Sequence, residues 1–162
     1  MRKIYLFTLL AGLVLFISSN YTYSQASKDT SKASGKAQLS KVVGKIYTKA
    51  KADSLYGPVL KADTIKTKDL AKLAKKNQKY MMFNLIDGKA CILNSKRAVI
   101  SGAALTIKPE QEFRLFSTSK VLELIKKGGS DITTVETRAN TITLTNGAIA
   151  MEESEPCPPH CP

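Results

Sequence analysis

The chain of 162 residues contains no tryptophan, a single histidine and three cysteines. One histidine, His160, removes most acid–base and nucleophilic machinery that operates near neutral pH, because a Ser-His-Asp or Cys-His site would have to be built around it in a proline-rich tail. Carboxylates stand singly apart from Glu110 and Glu112 and from Glu152, Glu153 and Glu155, and no pair suited to glycoside hydrolysis stands out. Gly128-Gly129 follows a helical pattern instead of preceding one, so it reads as a helix stop and not as a phosphate cradle. Arginine is missing between Ser27 and Lys79, where Tyr47 and Tyr56 are the only aromatics; guanidinium forks and stacking platforms for nucleic acid are therefore absent from that stretch. The expectation is a non-catalytic protein that calls for no cofactor and is a poor match to nucleic acid.

Only one long apolar run is present, from Ile4 to Ile17, preceded by Arg2 and Lys3 and followed by small residues at Ser24-Gln25-Ala26. That order of regions matches a secretory signal peptide over 1–26, and the run is shorter than the roughly 20 residues a membrane-spanning helix needs. No cysteine near the cleavage region offers a lipid attachment point. Export to the periplasm or the exterior is expected.

Of the formal charge of +12, the leader carries two positives, which leaves +10 for residues 27–162. Between Ser27 and Lys79, 14 lysines face four aspartates, whereas nine basic and nine acidic residues balance from Tyr80 onward. The whole excess thus sits early in the chain. It suits an unknown protein or an anionic envelope component held by screened Coulomb attraction.

Residues 27–36 are polar and read as a flexible lead. Leu39, Val42, Val43, Ile46, Tyr47 and Ala50 then recur at helical steps, which predicts a basic amphipathic helix over 37–56, ended by Gly57-Pro58. Lys41, Lys45 and Lys49 fall on its opposite side and are candidate contacts for an anionic surface, and the apolar stripe would either pack as core or lie on a membrane surface.

The remainder, 57–155, reads as an α+β domain: a mostly antiparallel sheet with helices on one face and a strand-helix-hairpin unit that recurs. The first copy has a strand near Leu60–Lys66, a helix over Lys68–Lys76 capped by Thr67, and a hairpin around Asp87-Gly88. The second has a strand at Phe113–Phe116, a helix over Ser119–Lys127 and a hairpin around Asn146-Gly147. The helices superimpose at an offset of 51 and the hairpins at 59. In that hairpin register Leu144 faces Ile149 and Ile142 faces Met151. Further strands are expected at Arg97–Ile100, Ala103–Ile107 and Ile132–Arg138, while Thr141, Thr143 and Thr145 read as a solvated strand face.

The tail 156–162 holds Cys157, His160 and Cys161 among four prolines, and such a segment is expected neither to join a sheet nor to continue a helix. In an exported protein Cys157 and Cys161 most simply form a disulfide. The same residues with His160 are the candidates for a soft-metal site, although their spacing matches neither haem attachment nor a paired-cysteine zinc site. Cys91 is placed opposite Asn84 in its hairpin. It is left free, joined to the tail or paired between molecules.

The leading expectation is an exported protein that acts by binding or interaction. Alternatives are a cationic envelope-associated structural protein and a thiol or metal protein that uses its tail.

Overall fold

The computed structural model describes residues 41–77, 79–102 and 106–162. The expected signal peptide, the flexible lead, residues 37–40 of the expected helix and residues 103–105 of an expected strand lie outside the described residues. The elements in order are β1 (Lys45–Thr48), α1 (Lys49–Tyr56), β2 (Lys61–Lys66), α2 (Thr67–Lys76), β3 (Tyr80–Ile86), β4 (Lys89–Asn94) and β5 (Val99–Ser101). They continue with β6 (Phe113–Ser117), α3 (Thr118–Gly128), β7 (Ile132–Thr137), β8 (Ile142–Asn146), β9 (Ile149–Glu152) and β10 (Glu155–Cys157). The fold is α+β, and its strands form two antiparallel sheets instead of the one expected, in the orders β1-β9-β8-β7-β2 and β10-β6-β3-β4-β5.

The helix expected over 37–56 is in part a strand. Gly44 has φ +109°, and a Cβ there would meet Met151 Sδ and Phe116 Cδ1 at 3.1 Å each, so the chain turns sharply where only glycine fits. Beyond it, β1 pairs with β9, Ile46 opposite Met151 and Tyr47 opposite Ala150. Alternation thus sends Ile46 inward and Tyr47 to the other face, whereas a helix would have put both on one stripe. Helix starts only after Thr48, whose hydroxyl accepts the Lys51 N–H at 3.3 Å, and ends at Gly57 with φ +79°.

The recurring unit is present, but its halves are interlocked. β2 lies before α2 yet pairs with β7, after α3; β6 lies before α3 yet pairs with β3, after α2. Matching bonds close the two junctions: Thr67 N–H donates to Asp131 O and Thr118 N–H to Lys79 O, each at 2.8 Å. The register Phe83 opposite Ile92 in one unit becomes Val135 opposite Leu144 in the other, an offset of 52. The counterpart of the β3–β4 hairpin is therefore β7–β8, turning at Ala139-Asn140, and not the β8–β9 hairpin that an offset of 59 selects.

Asp87 and Gly88 take φ +51° and +77°, as a type I′ turn requires. The β8–β9 hairpin instead pairs Leu144 with Met151 and Asn146 with Ile149, two residues away from the expected register, and turns at Gly147-Ala148. Asn146 is unavailable for the turn because it is buried, with its Nδ2, which has two hydrogens to donate, 3.0–3.1 Å from Thr67 Oγ1, Thr133 Oγ1, Ser130 O and Ile132 O. Thr67 is likewise no cap: Lys66 is the N-cap residue, and Thr67 Oγ1 lies 2.9 Å from Thr133 Oγ1. Gly129, with φ +68°, stops α3. Its neighbour Gly128 lies so close to Asn146 that a Cβ would overlap Oδ1 and sit 2.5 Å from the carbonyl oxygen. Gly128→Ala is expected to cost about 2–3 kcal/mol in urea unfolding, the scale of core overpacking, and an unchanged midpoint would contradict this contact.

Inward residues of both sheets, including Phe83, Ile92, Phe116, Val135, Leu144 and Met151, meet Leu70 of α2 and Val121 and Leu124 of α3 in one core. α1 packs elsewhere, so the helices do not share one face: its Asp53 reaches Arg138 at 2.8 Å beside β7. The threonine face of β8 is accordingly not solvated, since Thr143 and Thr145 are buried. The other face of the β6-β3-β4 sheet carries a second apolar cluster, built from Val43, Tyr80, Met82, Cys91, Leu93, Phe113, Leu115 and Cys157. The tail does join this sheet, with Glu155 opposite Leu115 and Cys157 opposite Phe113. β10 is an edge strand, where the missing N–H of Pro156 is tolerated.

Candidate functional site

The turn between β4 and β5 organises two adjoining features. Asn94 Oδ1 accepts the N–H groups of Lys96 at 2.9 Å and Ala98 at 3.0 Å, and Ser95 Oγ donates to Tyr80 O at 3.0 Å. These bonds lock the turn onto β3. Facing it, the Asn77 side-chain amide donates to Leu73 O at 2.7 Å and closes the C-terminal end of α2. Between the two lies a shallow depression of about 340 Å³ lined by Lys76, Asn77, Lys79, Asn94, Ser95 and Lys96. The ion pairs of the described residues engage other lysines, and none involves Lys76, Lys79 or Lys96. Lys75 and Lys76 also stand at the negative end of the α2 dipole. Three lysines thus line one depression, and none of them is in an ion pair among the described residues. A second depression, lined by Lys66, Lys68, Asp131 and Ile132, includes its own carboxylate.

Lys41, Lys45 and Lys49 are placed differently from the single helix face expected of them. Lys41 precedes β1, Lys45 is in β1 and Lys49 opens α1. Each has an acid beside it: Glu155 at 4.0 Å, Glu153 at 3.3 Å and Glu136 at 4.0 Å respectively. Their positive charge is partly spent within the protein. The apolar stripe is not laid out as a membrane-facing surface either, because Val43 is buried in the second cluster and Ile46 packs on the shared core, while Val42 is exposed.

Arg97, next to Lys96, takes φ +60° and turns its guanidinium to the tail. Nη1 donates to Cys157 O at 2.9 Å and lies 3.3 Å from Cys157 Sγ and 3.9 Å from Cys161 Sγ. Nη2 donates to Gln111 O at 2.8 Å, and the group sits 5.8 Å from the centre of the Phe113 ring. Cys157 and Cys161 are joined as a disulfide. With both sulfurs so bonded, no thiolate is left for the soft-metal site that Cys157, His160 and Cys161 could otherwise furnish. Cys91 is free and buried, opposite Asn84 as its hairpin register requires, and burial pushes its thiol up. Continuing the β3–β6 register places Phe113 opposite Asn84, so Cys91 and Cys157 stand three strands apart in one row, about 14 Å by strand spacing. No bridge can span that distance.

A third constellation lies beneath α1 and escapes sequence reading. Arg138, fully buried, contacts Glu136 at 3.0 Å, Asp53 at 2.8 Å and Glu152 at 3.5 Å, and donates to the Gly57 carbonyl that ends α1. Thr143 donates to one oxygen of Glu152; the other, Oε2, is buried without a hydrogen-bond partner. Burial, opposed by Thr143 and Arg138, pushes the Glu152 carboxyl up to about 7. Nearby, Tyr47 donates to Glu153, which raises the phenol and lowers the carboxyl, and burial pushes Tyr56 up to about 12. Glu136, Thr143 and Glu152 are successive partners across β7, β8 and β9, and only that register unites them. Alternating Glu136 and Arg138 in a threonine-rich strand was the one local hint. The cluster bolts α1 to the sheet through Asp53 and the Gly57 carbonyl.

Among the described residues no group of three or more His, Cys, Asp or Glu side chains is arranged to hold a metal ion. No family model, curated protein or solved structure matches the chain.

Proposed function

We propose that this is an exported, non-catalytic binding protein that holds an anionic component of the cell envelope or its surroundings in the depression of Lys76, Lys79 and Lys96. The carrying observation is that Lys76, Lys79 and Lys96 line one depression, beside a turn locked by Asn94 and Ser95, and that none of the three is in an ion pair among the described residues. Lysine ammonium groups act as mobile point charges, which suits repeated phosphate or carboxylate groups on a polymer. Asn77, Asn94 and Ser95 add polar groups to the same rim. The tail disulfide supports the exported setting, where such bonds persist.

Inorganic polyphosphate, titrated into the native chain and followed by calorimetry, tests the reading. The double variant Lys79→Glu, Lys96→Glu is expected to lose roughly tenfold in affinity at low salt. Lys61→Glu with Lys126→Glu changes net charge equally on exposed positions outside the depression and is expected to lose far less. Equal losses would replace a site by diffuse attraction and favour the alternative of a cationic structural protein.

A further inference from the structure

We propose that the tail disulfide is a thiol–disulfide exchange site, in which an incoming thiolate attacks Cys161 and Cys157 departs as a thiolate held by Arg97. This goes beyond anion binding and depends on different atoms. Three observations carry it. Access is unequal, because Cys157 is fully buried against Phe113 whereas Cys161 is half-buried near the chain end. The charge is unequal too: Arg97 Nη1 is 3.3 Å from Cys157 Sγ and 3.9 Å from Cys161 Sγ. Finally, the guanidinium is fixed independently of the sulfurs, by carbonyls of Cys157 and Gln111.

Exchange is fastest when the departing sulfur is the better thiolate, and a neighbouring guanidinium makes it so. A thiol loses its proton to solvent and its thiolate attacks Cys161 Sγ. The new S–S bond forms as the Cys157–Cys161 bond breaks, and the electron pair of that bond goes to Cys157 Sγ. A second thiolate attacks the reagent's sulfur in the mixed disulfide, releasing the oxidised reagent and the Cys161 thiolate. The tail is reduced by two electrons and two reagent thiols are oxidised. Cys91, three strands away, takes no part. The pairing of β10 with β6 and the Arg97 bond to the Cys157 carbonyl do not involve the sulfurs, so the fold is expected to survive the opening.

Glutathione is the probe, with acid quenching and peptide mass mapping of the full folded chain. The expected first adduct is on Cys161, with Cys157 trapped as the free thiol, and in urea the preference between the two sulfurs disappears. Arg97→Gln, checked for native circular dichroism, is expected to slow adduct formation roughly tenfold. An adduct chiefly on Cys157, a preference that persists in urea, or no adduct on the folded chain over hours would each overturn the proposal. Should Arg97→Gln fail to fold, the position of the adduct in the wild-type chain still decides.

Discussion

Arg138→Met is expected to lower stability by about 3–5 kcal/mol, because removing one member of a buried ionic cluster strands the others in low dielectric. Arg138 is the cation between Glu136 and Glu152, both buried, and also holds Asp53 and the end of α1. Without it, the ion-pair partner left to Glu136 among the described residues is Lys49 at 4.0 Å. Urea unfolding at pH 7 measures the loss. Adding Glu136→Leu and Glu152→Leu to the same chain is expected to recover much of it, since a matched apolar replacement of a whole buried cluster is often neutral or better. A single-variant loss below about 1 kcal/mol would place Arg138 among ordinary surface pairs.

The second large effect is a fall in stability between pH 4.5 and 7, traced to Glu152. Its carboxyl titrates near 4.5 when unfolded and at about 7 when folded, so the folded state binds the proton more tightly. The stability that this group contributes is fully present below pH 4.5 and is lost as the pH rises through 7. At about 1.4 kcal/mol for each tenfold change in proton affinity, the span amounts to about 3 kcal/mol. Glu123, lowered to about 2 by Lys120 and Lys127, works in the opposite sense, as do Asp63, held down by the Ala90 N–H, and Glu153, held down by Tyr47. Their contributions are present above pH 4.5 and are lost on acidification, so the optimum is expected near pH 4.5. Glu152→Gln removes the charge with little change of shape. Its melts at pH 5 and pH 8 are expected to lie closer together than those of the wild type. A wild-type protein equally stable at both pH values would contradict a buried, raised Glu152.

Local signals read true wherever they had one meaning. Asp87-Gly88 set its hairpin because both residues must take positive φ, and Gly128-Gly129 stopped a helix whose apolar spacing was strong. The α+β class follows from those elements. Asn146-Gly147 misled because the asparagine was required at a distance, between Thr67 and Thr133, and the turn moved on by one residue. Helical spacing over 37–56 failed for a related reason. Val43 is buried in one cluster while half-buried Ile46 packs against the other, and Gly44 can bend the chain between them. The exchange of first strands between the units leaves no local trace, and neither the second sheet nor the Arg138 cluster could be read without it. Among site residues, the Cys157–Cys161 pairing was expected from the short spacing taken together with export, and it is the pairing found. The grouping of Lys76 and Lys79 with Lys96 was not legible, because β3 and β4 must pair before Lys96 returns to the end of α2.

The measurement that bears most directly on the proposed site is amide chemical-shift mapping of the native chain during titration with inorganic polyphosphate, at low and at raised salt. Saturable shifts confined to the amides around Lys76, Lys79 and Asn94–Lys96, weakened by salt, are the predicted result. Shifts spread over every exposed lysine, or centred on Lys41, Lys45 and Lys49, would contradict it.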